Sequence, residues 1–514
     1  MLARARAAAV LGVEAYLVEV EVDLSNGLPM FATVGLPHGA VKEGRERVTA
    51  ALVNSGFEYP LKRITANLAP ADVRKDGSAF DLAIAIAILV ASGQLGGAAH
   101  ESSVLLGELG LNGDLRPVRG VLPMALAARR AGVRSMIVPV ANVAEASVIE
   151  GIAVYGAPSL LGVARHLSGA EPIAANAPDR SALLTSVPID GVDFSDVRSQ
   201  RAAKRALEVA AAGAHNVLMI GSPGTGKTML ARRLPTILPS LTLEEALEVT
   251  KIHSVAGLLP AGRPLLTERP FRAPHHTVSD AGLAGGGSTP RPGEVSLAHL
   301  GVLFLDELPE FRRHVLEVLR QPLEDGIVTI SRVQTSLTYP ARVMLVAAMN
   351  PCPCGYRGDP GQSCRCPDEL VDRYVGRVSG PLYDRLDIHV HVSSVPWTEL
   401  GGPLAEEPSE AVRTRVEGAR ALQRARFRSR PGIYANAHMG ARDVRHFGAM
   451  TGEAESLLGQ AMQRFRLSAR AYHRIIKIAR TIADLDGREL VELPHMAEAV
   501  QYRCLDRGRA GGAK

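Results

Sequence analysis

The stretch Gly221-Ser222-Pro223-Gly224-Thr225-Gly226-Lys227-Thr228 follows the apolar run 216–220 and leads into residues 229–234. The order predicts a strand, a glycine loop and a helix, and the loop fits the complete phosphate-binding pattern G-x-x-x-x-G-K-[ST]. Its glycines let backbone N–H groups turn towards an anion, and the helix N-terminus adds partial positive charge. Lys227 is placed to reach the β- and γ-phosphates, and the Thr228 hydroxyl to hold Mg²⁺. We therefore expect these eight residues to bind ATP.

Polar residues at the ends of two further apolar strands complete the expected site. The run 301–305 ends in Asp306 and Glu307, and the run 343–349 ends in Asn350. Asp306 is placed to hold the Mg²⁺ shell, and Glu307 to polarise the water that attacks the γ-phosphate. The amide of Asn350 is placed to orient that water. The sequence thus predicts ATP hydrolysis with Mg²⁺ as cofactor.

Composition limits the class of protein. The chain has 514 residues, 46% of them hydrophobic and 22% charged, which predicts two to four globular domains. Aromatic residues make up only 4%, too few for a large stacking surface for single strands. The net charge of +5 permits a nucleic-acid partner without requiring one. The longest apolar run, 82–91, is too short to cross a bilayer, and Glu14 interrupts a signal-peptide-like start, so we expect a cytoplasmic protein with no membrane partner.

The pattern along the chain predicts a multidomain α/β protein. Alternating strands at 15–23 and 30–34, three helices and an Asn112-Gly113 turn predict an α+β domain over residues 1–170. Prolines and small residues predict a linker over 171–189. The nucleotide-binding pattern occupies 190–395, and helical sequence over 396–514 predicts a C-terminal lid.

The front domain resembles the proteolytic domain of Lon proteases. The resemblance rests on 107–113, 127–132 and Val138-Pro139, and Lys75-Asp76-Gly77-Ser78 resembles the segment around that family's nucleophile. That family uses a Ser–Lys dyad, whose serine matches Ala79 here and whose lysine matches Leu122. Because a serine without a neighbouring base is a poor nucleophile, the resemblance implies a Lon-like fold (ribosomal protein S5 domain 2-like) without peptidase activity.

The ATPase motifs together resemble the AAA+ superfamily, in the clade of magnesium-chelatase motor subunits and replicative MCM helicases. That clade carries an insert in its second helix and a hairpin before the Asn strand, and residues 273–287 and 326–339 fit those places. The chain more closely resembles the YifB/ComM family of magnesium-chelatase-like ATPases, through 271–276, 301–311 and 350–355. This resemblance covers essentially the whole chain, including a ChlI-type front domain.

The resemblance also implies roles for two arginines. Residues 379–387 resemble the clade's arginine-finger segment, which reaches the γ-phosphate in the next subunit's site. It implies this role for Arg385, with Arg373 and Arg377 as nearby rivals. The helix that starts near Ser468 resembles the second-sensor helix, in which Arg470 is the matching arginine. A finger that acts in trans implies a homo-oligomeric ring, which we expect to be a hexamer.

Two groups of metal-ligand residues remain to be interpreted. Four thiols at Cys352, Cys354, Cys364 and Cys366 favour tetrahedral Zn²⁺, although C-x-C is tighter than the usual spacing and four reduced cysteines are the alternative. The pair His275-His276 beside a glycine-rich loop suggests either a metal site or hydrogen-bonded loop structure, and the second is commoner.

Three hypotheses for function follow. ComM-type proteins are bacterial helicases that drive branch migration during integration of transforming DNA, so the resemblance implies a DNA motor in homologous recombination and competence. The hairpin and insert would then contact the phosphates of single-stranded or branched DNA, independently of sequence, through Arg332, Ser331, Arg272, His275 and His276. The alternatives are a magnesium-chelatase-like motor subunit that drives a protein partner, and an ATP-switched scaffold, which does not need an intact Glu307.

Overall fold

A computed structural model describes residues 1–73, 75–97, 99–176, 191–260, 262–287, 290–331, 336–395, 406–430 and 432–503. The chain divides into two compact units. The first comprises Met1–Thr185 and Leu243–Thr267, and the second comprises Ser186–Thr242 and Glu268–Lys514. Within the described ranges, no helix has the length and apolar character needed to cross a membrane.

The first unit contains the strands β1 (Leu2–Leu11), β2 (Glu14–Ser25), β3 (Met30–Val34), β4 (Arg63–Ala69), β5 (Ser103–Leu105), β6 (Glu108–Leu109), β7 (Leu115–Arg116), β8 (Ser135–Pro139) and β9 (Ala153–Ala157). Its α-helices span Ala40–Asn54, Asp81–Ala91, Val121–Arg130, Val143–Ser147, Leu160–Leu167 and Leu243–Ala256. Seven strands form a mixed sheet in the order β3-β4-β2-β1-β5-β8-β9. The helix Asp81–Ala91 is almost wholly buried, as its apolar sequence predicts.

Strand β1 was not expected from the sequence, in which the first residues only superficially resemble a signal peptide that Glu14 interrupts. It pairs antiparallel with β2 along its whole length, from Leu2 opposite Asp23 to Leu11 opposite Glu14. Exposed Arg4 and Arg6 alternate with buried alanines, so the period of two was present. Alanine is depleted in strands, and it therefore concealed this pattern.

The helix Leu243–Ala256 groups with the first unit, although the sequence assigned it to the ATPase region 190–395. Its Lys251 Nζ donates a hydrogen bond to Glu14 at 2.8 Å. The hydroxyl of its Ser254 donates to Glu145, and the Ser254 carbonyl accepts from the backbone of Gly120 at 3.2 Å. These polar partners lie far away in sequence, so no local pattern could reveal them.

The second unit contains the strands β10 (Val217–Ile220), β11 (Phe271–Arg272), β12 (Gly285–Gly286), β13 (Arg291–Pro292), β14 (Val302–Leu305), β15 (Ile327–Ser331), β16 (Ser336–Pro340), β17 (Met344–Met349) and β18 (Ile388–His391). Its α-helices span Arg201–Gly213, Lys227–Ile237, Asp280–Ala284, Glu294–Leu297, Arg313–Val318, Arg320–Asp325, Asp368–Val375, Gly380–Tyr383, Ser409–Arg426, Ala441–Phe447, Gly452–Phe465, Ala469–Leu485 and Leu493–Gln501.

A five-stranded sheet in the order β11-β14-β17-β10-β18 organises this unit, and every neighbouring pair is parallel. The inner strands β14 and β17 are buried along their whole length, as parallel strands covered on both faces are. Ligands bind such sheets at the carboxyl ends of the strands. The strands β10, β14 and β17 are neighbours. The phosphate loop, Asp306-Glu307 and Asn350 therefore meet at one edge of the sheet, which is formed by the carboxyl ends of the strands. The predicted multidomain α/β fold with a phosphate-loop core is confirmed.

The predicted hairpin is present, and it packs against the insert. Strands β15 and β16 pair from Ile327 opposite Pro340 to Ser331 opposite Ser336. The Tyr339 hydroxyl donates to the carbonyl of Pro290 at 2.9 Å, and a Cβ added to Gly285 of the insert would lie 2.9 Å from Ile330 Cδ1. Arg332 lies between the strands, outside the described residues.

Candidate nucleotide site

The phosphate loop turns tightly between β10 and the helix Lys227–Ile237. Gly224 and Gly226 have φ angles of +79° and +88°, which L-residues rarely adopt. The Thr225 hydroxyl donates to the Ser222 carbonyl at 2.9 Å inside the loop. Leu230 N–H donates to the Gly226 carbonyl at 2.9 Å, so the earlier N–H groups of the helix are left for an anion.

Lys227 is folded into the loop and is only 8% exposed. Its Nζ donates to the carbonyls of Gly221 at 2.6 Å and Ser222 at 2.9 Å, and to Asn350 Oδ1 at 3.1 Å. Burial lowers the pKa of this ammonium, and the charges of Asp306 and Glu307 oppose the shift. Lys227 and Asn350, 123 residues apart in sequence, are therefore in direct contact, as the two motifs predicted.

Thr228 and Asp306, the two residues expected to hold Mg²⁺, are in direct contact. The Thr228 hydroxyl donates to Asp306 Oδ2 at 2.6 Å, and Asp306 Oδ1 accepts the backbone N–H of Glu307 at 3.0 Å. A hydroxyl and a carboxylate are the hard oxygen ligands that Mg²⁺ prefers, beside a loop that takes phosphates. The residues present therefore fit Mg²⁺, which when bound would neutralise negative charge on the phosphates.

Glu307 leaves strand β14 through a left-handed turn with φ +52°. This conformation, uncommon for a non-glycine residue, presents a side chain that is 59% exposed. Its Oε2 lies 3.6 Å from His276 Nδ1, and the rings of His275 and His276 stack with centroids 4.0 Å apart. His275 Nδ1 is hydrogen-bonded to the Thr277 hydroxyl at 2.9 Å. His275 is thus hydrogen-bonded within the loop, and His276 lies beside the Glu307 carboxylate.

Arg385 and Arg470 lie close together at the opposite edge of the sheet, which is formed by the amino ends of the strands. Arg385 is buried, and its guanidinium forms an ion pair with Glu324 and donates to the Pro381 carbonyl at 2.5 Å. Arg470 is exposed, with Nη2 4.0 Å from the same Glu324 carboxylate. Nothing in the sequence around Glu324 singles it out, because its partners come from distant segments.

The backbone of Arg385 is fixed at the start of β10, not at its phosphate end. Its carbonyl accepts a hydrogen bond at 2.9 Å from Asn216, the residue that precedes β10, whereas Gly221 follows β10. The four residues between them span about 13 Å at about 3.3 Å per residue. Arg385 and Arg470 are thus brought together with each other, and not with the phosphate loop of their own chain. The rival Arg377 pairs with Glu310 at 3.0 Å.

Arg272, a candidate for DNA contact, and Arg415, in a basic helix, are both paired with carboxylates. Arg272 lies in β11 and donates to both oxygens of Glu294 at 2.6 and 2.8 Å, which raises the pKa of its guanidinium. This differs from the free cation expected on the insert, because Phe271-Arg272 is an edge strand of the core sheet. In the basic helix Ser409–Arg426, Arg415 pairs with Glu208 and Glu407, each at 2.5 Å.

The four predicted cysteines come together. Their Sγ atoms all lie within 4.8 Å of one another, and three of the separations are 3.3, 3.6 and 3.6 Å. A disulfide would require about 2.05 Å, so these are thiols. A backbone hydrogen bond from Tyr356 and a side-chain bond from Cys352 lower the pKa of Cys354 to about 6. Within the described ranges, this is the one group of metal-type side chains close enough to hold an ion.

In the first unit, Ser78 donates its hydroxyl proton to the carboxylate of Glu108. Leu122, at the place of the Lon lysine, is fully buried in the helix Val121–Arg130. A buried leucine has no basic group, and the Ser78 hydroxyl is hydrogen-bonded to an acidic side chain.

Comparison with known proteins agrees with this geometry. Three family profiles match: "Magnesium chelatase, subunit ChlI" over residues 193–400, "Subunit ChlI of Mg-chelatase" over 20–142, and "Magnesium chelatase, subunit ChlI C-terminal" over 406–503. The competence protein ComM of Haemophilus influenzae is 45% identical over 97% of this chain and 96% of its own. The chain belongs to the ComM/YifB family of magnesium-chelatase-like AAA+ ATPases.

The chain is similar to relatives of two kinds. The YifB protein of Escherichia coli, a ComM/YifB member, is 44% identical over 97% of this chain and 96% of its own. The magnesium-chelatase 38 kDa subunit of Rhodobacter capsulatus is 26% identical, over 31% of this chain and 50% of its own. Magnesium-chelatase-like AAA+ ATPases use ATP and Mg²⁺ and usually form rings. The ComM/YifB similarity extends over the full length, whereas the similarity to this chelatase subunit covers about a third of this chain.

Proposed function

We propose that the protein is a ring-forming ATPase motor that acts on DNA, as a branch-migration helicase in recombination. The carrying observation is that one parallel sheet places the two groups of candidate site residues at opposite ends of its strands. One edge holds Lys227, Thr228, Asp306, Glu307 and Asn350, and the opposite edge holds Arg385 and Arg470.

Hydrolysis would use the first edge as follows. Binding of the phosphates would exchange the contacts of Lys227 with the loop carbonyls for contacts with β- and γ-oxygens. Asp306 and Thr228 would hold Mg²⁺. Glu307 would take a proton from the attacking water, which Asn350 would orient, and positioning together with charge stabilisation would supply most of the rate.

The second edge would complete the site of a neighbouring copy. An arginine near the γ-phosphate is worth about 10³–10⁵ in turnover. Because Arg385 lies about one strand length from its own phosphate loop, it is better placed to serve another chain's loop. Closed repetition of such a head-to-tail contact produces a ring, and we propose a hexamer.

The hairpin β15–β16 and the insert packed on it would form the DNA-contacting surface. Ser331 and Arg332 at the hairpin end, with His275 and His276 of the insert, would contact phosphates. Arg272, tied to Glu294, would support this surface from the sheet. Contacts of this kind do not depend on base sequence and weaken with salt.

The front unit would be a Lon-like fold that has no peptidase activity, since the Ser78 hydroxyl is hydrogen-bonded to the acidic Glu108 and a serine without a neighbouring base is a poor nucleophile. A second candidate function is a chelatase-type motor that drives a protein partner, which the three ChlI profiles favour. The chain would then hydrolyse ATP without regard to DNA.

Steady-state ATPase measurements separate these functions. The full chain is assayed alone and with single-stranded DNA, duplex and a synthetic four-way junction, each at low and high salt. Glu307→Gln is the blank. Stimulation by DNA that weakens with salt and is absent in the blank supports the motor. Robust hydrolysis that no DNA form changes contradicts it and favours the protein-driving function.

A further inference from the structure

The four cysteines occupy a loop that touches the nucleotide site. Cys352 follows Asn350 by two residues and is fully buried. The segment between the cysteine pairs then passes against the phosphate loop. We propose that Cys352, Cys354, Cys364 and Cys366 bind one Zn²⁺, and that this zinc-bound loop holds the phosphate loop and Asn350 in their nucleotide-binding positions. The coupling rests on the proposed nucleotide site, whereas the zinc site does not.

The sulfur geometry matches zinc. At Zn–S of about 2.3 Å, a tetrahedral site separates its sulfurs by about 3.8 Å. The observed Sγ separations of 3.3, 3.6 and 3.6 Å are near this value. The backbone N–H of Cys366 points to Cys364 Sγ at 3.4 Å, which stabilises a thiolate. Four thiolates are the ligand set of closed structural zinc sites, so the bound ion would be structural and not catalytic.

Two contacts join this loop to the phosphate loop. Gly355, with φ +89°, packs so closely on Pro223 that an added Cβ would lie 2.5 Å from Pro223 Cδ. The Ser222 hydroxyl donates to the Asp359 carboxylate, which lowers the pKa of that acid. Asp359 also accepts the N–H groups of Gly361 at 2.8 Å and Gln362 at 3.1 Å. The loop thus contacts Ser222 and Pro223, and the Ser222 carbonyl is itself one of the acceptors of Lys227 Nζ, at 2.9 Å.

The same loop also fixes Asn350 from the other side. The helix Asp368–Val375 begins just after Cys366, and its Tyr374 hydroxyl is hydrogen-bonded to the Asn350 backbone. Arg357 bridges the loop to this helix through Asp368 at 2.8 Å. Without a central ion, four thiolates would repel one another, and the two ends of the segment between the cysteine pairs would no longer be joined. Loss of zinc would therefore release both contacts on the phosphate loop.

The test measures zinc and nucleotide binding separately in the full chain, purified without a metal-affinity step. Zinc is measured by elemental mass spectrometry, and nucleotide affinity with a fluorescent ADP analogue. Wild type should hold about one zinc per chain. The double variant Cys364→Ser/Cys366→Ser should lose the zinc and bind nucleotide at least about tenfold more weakly, the scale at which supporting groups act in metal sites. Cys504→Ser should retain both properties.

A glycine pair tests the coupling without touching the ligands. Gly355→Ala should keep its zinc but weaken nucleotide binding about tenfold, because the methyl displaces Pro223. Gly358→Ala is the matched control: its φ is +80°, so the backbone strain is similar, but an added Cβ meets nothing within 4 Å. It should behave as wild type. Melting temperatures of all variants show whether each has folded.

Three results would overturn the proposal. They are a wild-type chain without zinc, a cysteine double variant that binds nucleotide normally, and equal nucleotide affinities for Gly355→Ala and Gly358→Ala. A wild type that holds one zinc but binds no nucleotide supports the metal site and overturns the coupling together with the proposed ATPase. Restoration of nucleotide binding by Zn²⁺, but not by Mg²⁺, after chelator treatment supports both parts.

Discussion

The imidazole of His276 lies beside the carboxylate of Glu307, with Nδ1 3.6 Å from Oε2. Glu307 is the base expected to activate water, and His276 belongs to the insert. The edge of the His276 ring also faces Phe311, with centroids 6.4 Å apart. The histidine therefore packs against the Phe311 ring and also lies beside the Glu307 carboxylate. A shift of the insert would change the orientation of Glu307.

His276→Gln is expected to reduce the stimulation of ATP hydrolysis by DNA about tenfold, because a misaligned general base loses roughly one to two orders of magnitude of its effect. The measurement is the ratio of phosphate release with and without DNA. His275→Gln is the control, since His275 bonds Thr277 and not Glu307. Equal ratios for the two variants would show that the contact does not transmit the signal.

Arg385→Ala is expected to lower turnover about 10³-fold, the usual scale for an arginine at the γ-phosphate. An equimolar mixture with Lys227→Ala should recover part of the activity. In the mixture, the intact phosphate loop of one variant faces the intact Arg385 of the other. Turnover of the mixture that stays at the level of the separate variants would indicate that each chain completes its own site.

Glu324→Gln is expected to raise turnover severalfold at limiting protein concentration. The substitution removes the charge that holds Arg385 and lies 4.0 Å from Arg470, and so leaves both arginines available to a neighbouring copy. Asp325→Asn, the adjacent exposed acid, is the control for a change in net charge. The measurement is ATPase rate against protein concentration. A rate that falls in Glu324→Gln alone would mean that Glu324 positions Arg385 productively.

Acid is expected to destabilise the second unit between pH 6.5 and 3. Burial lowers the pKa values of His389 and His438 to about 3, whereas both titrate near 6.5 when unfolded. Below pH 6.5, the unfolded chain therefore binds protons that the folded chain does not. Each histidine should remove about 2 kcal/mol of unfolding free energy between pH 7.5 and 5. Urea denaturation measures this, and His438→Gln should show a shallower dependence on pH.

The candidate nucleotide site was predictable from the sequence because its motifs are local. The phosphate loop, Asp306-Glu307 and Asn350 each end an apolar strand, and parallel strands bring such ends together. The contact between Lys227 and Asn350 confirms this expectation. The cysteine cluster was also predicted, since two C-x-C pairs close in sequence cannot lie far apart in space.

Features that depend on distant partners were not predictable. Arg272 resembled a free cation because Glu294, which neutralises it, lies 22 residues further on. Strand β11 consists of only two residues, too few for a period to appear. Glu324 belongs to no sequence motif, and its ion pair with Arg385 depends on how distant segments of the chain pack.

The helix Leu243–Ala256 also bears on how this protein can be divided. The polypeptide passes from one unit to the other three times, near residues 185, 242 and 267. A gene truncated to begin at residue 191 would encode this helix without Glu14 and Glu145, and one that stopped at residue 176 would lack the helix itself. Neither unit is encoded by one continuous stretch of the gene. Recombination between genes could therefore transfer the whole first unit only if it also transferred the segment Leu243–Thr267.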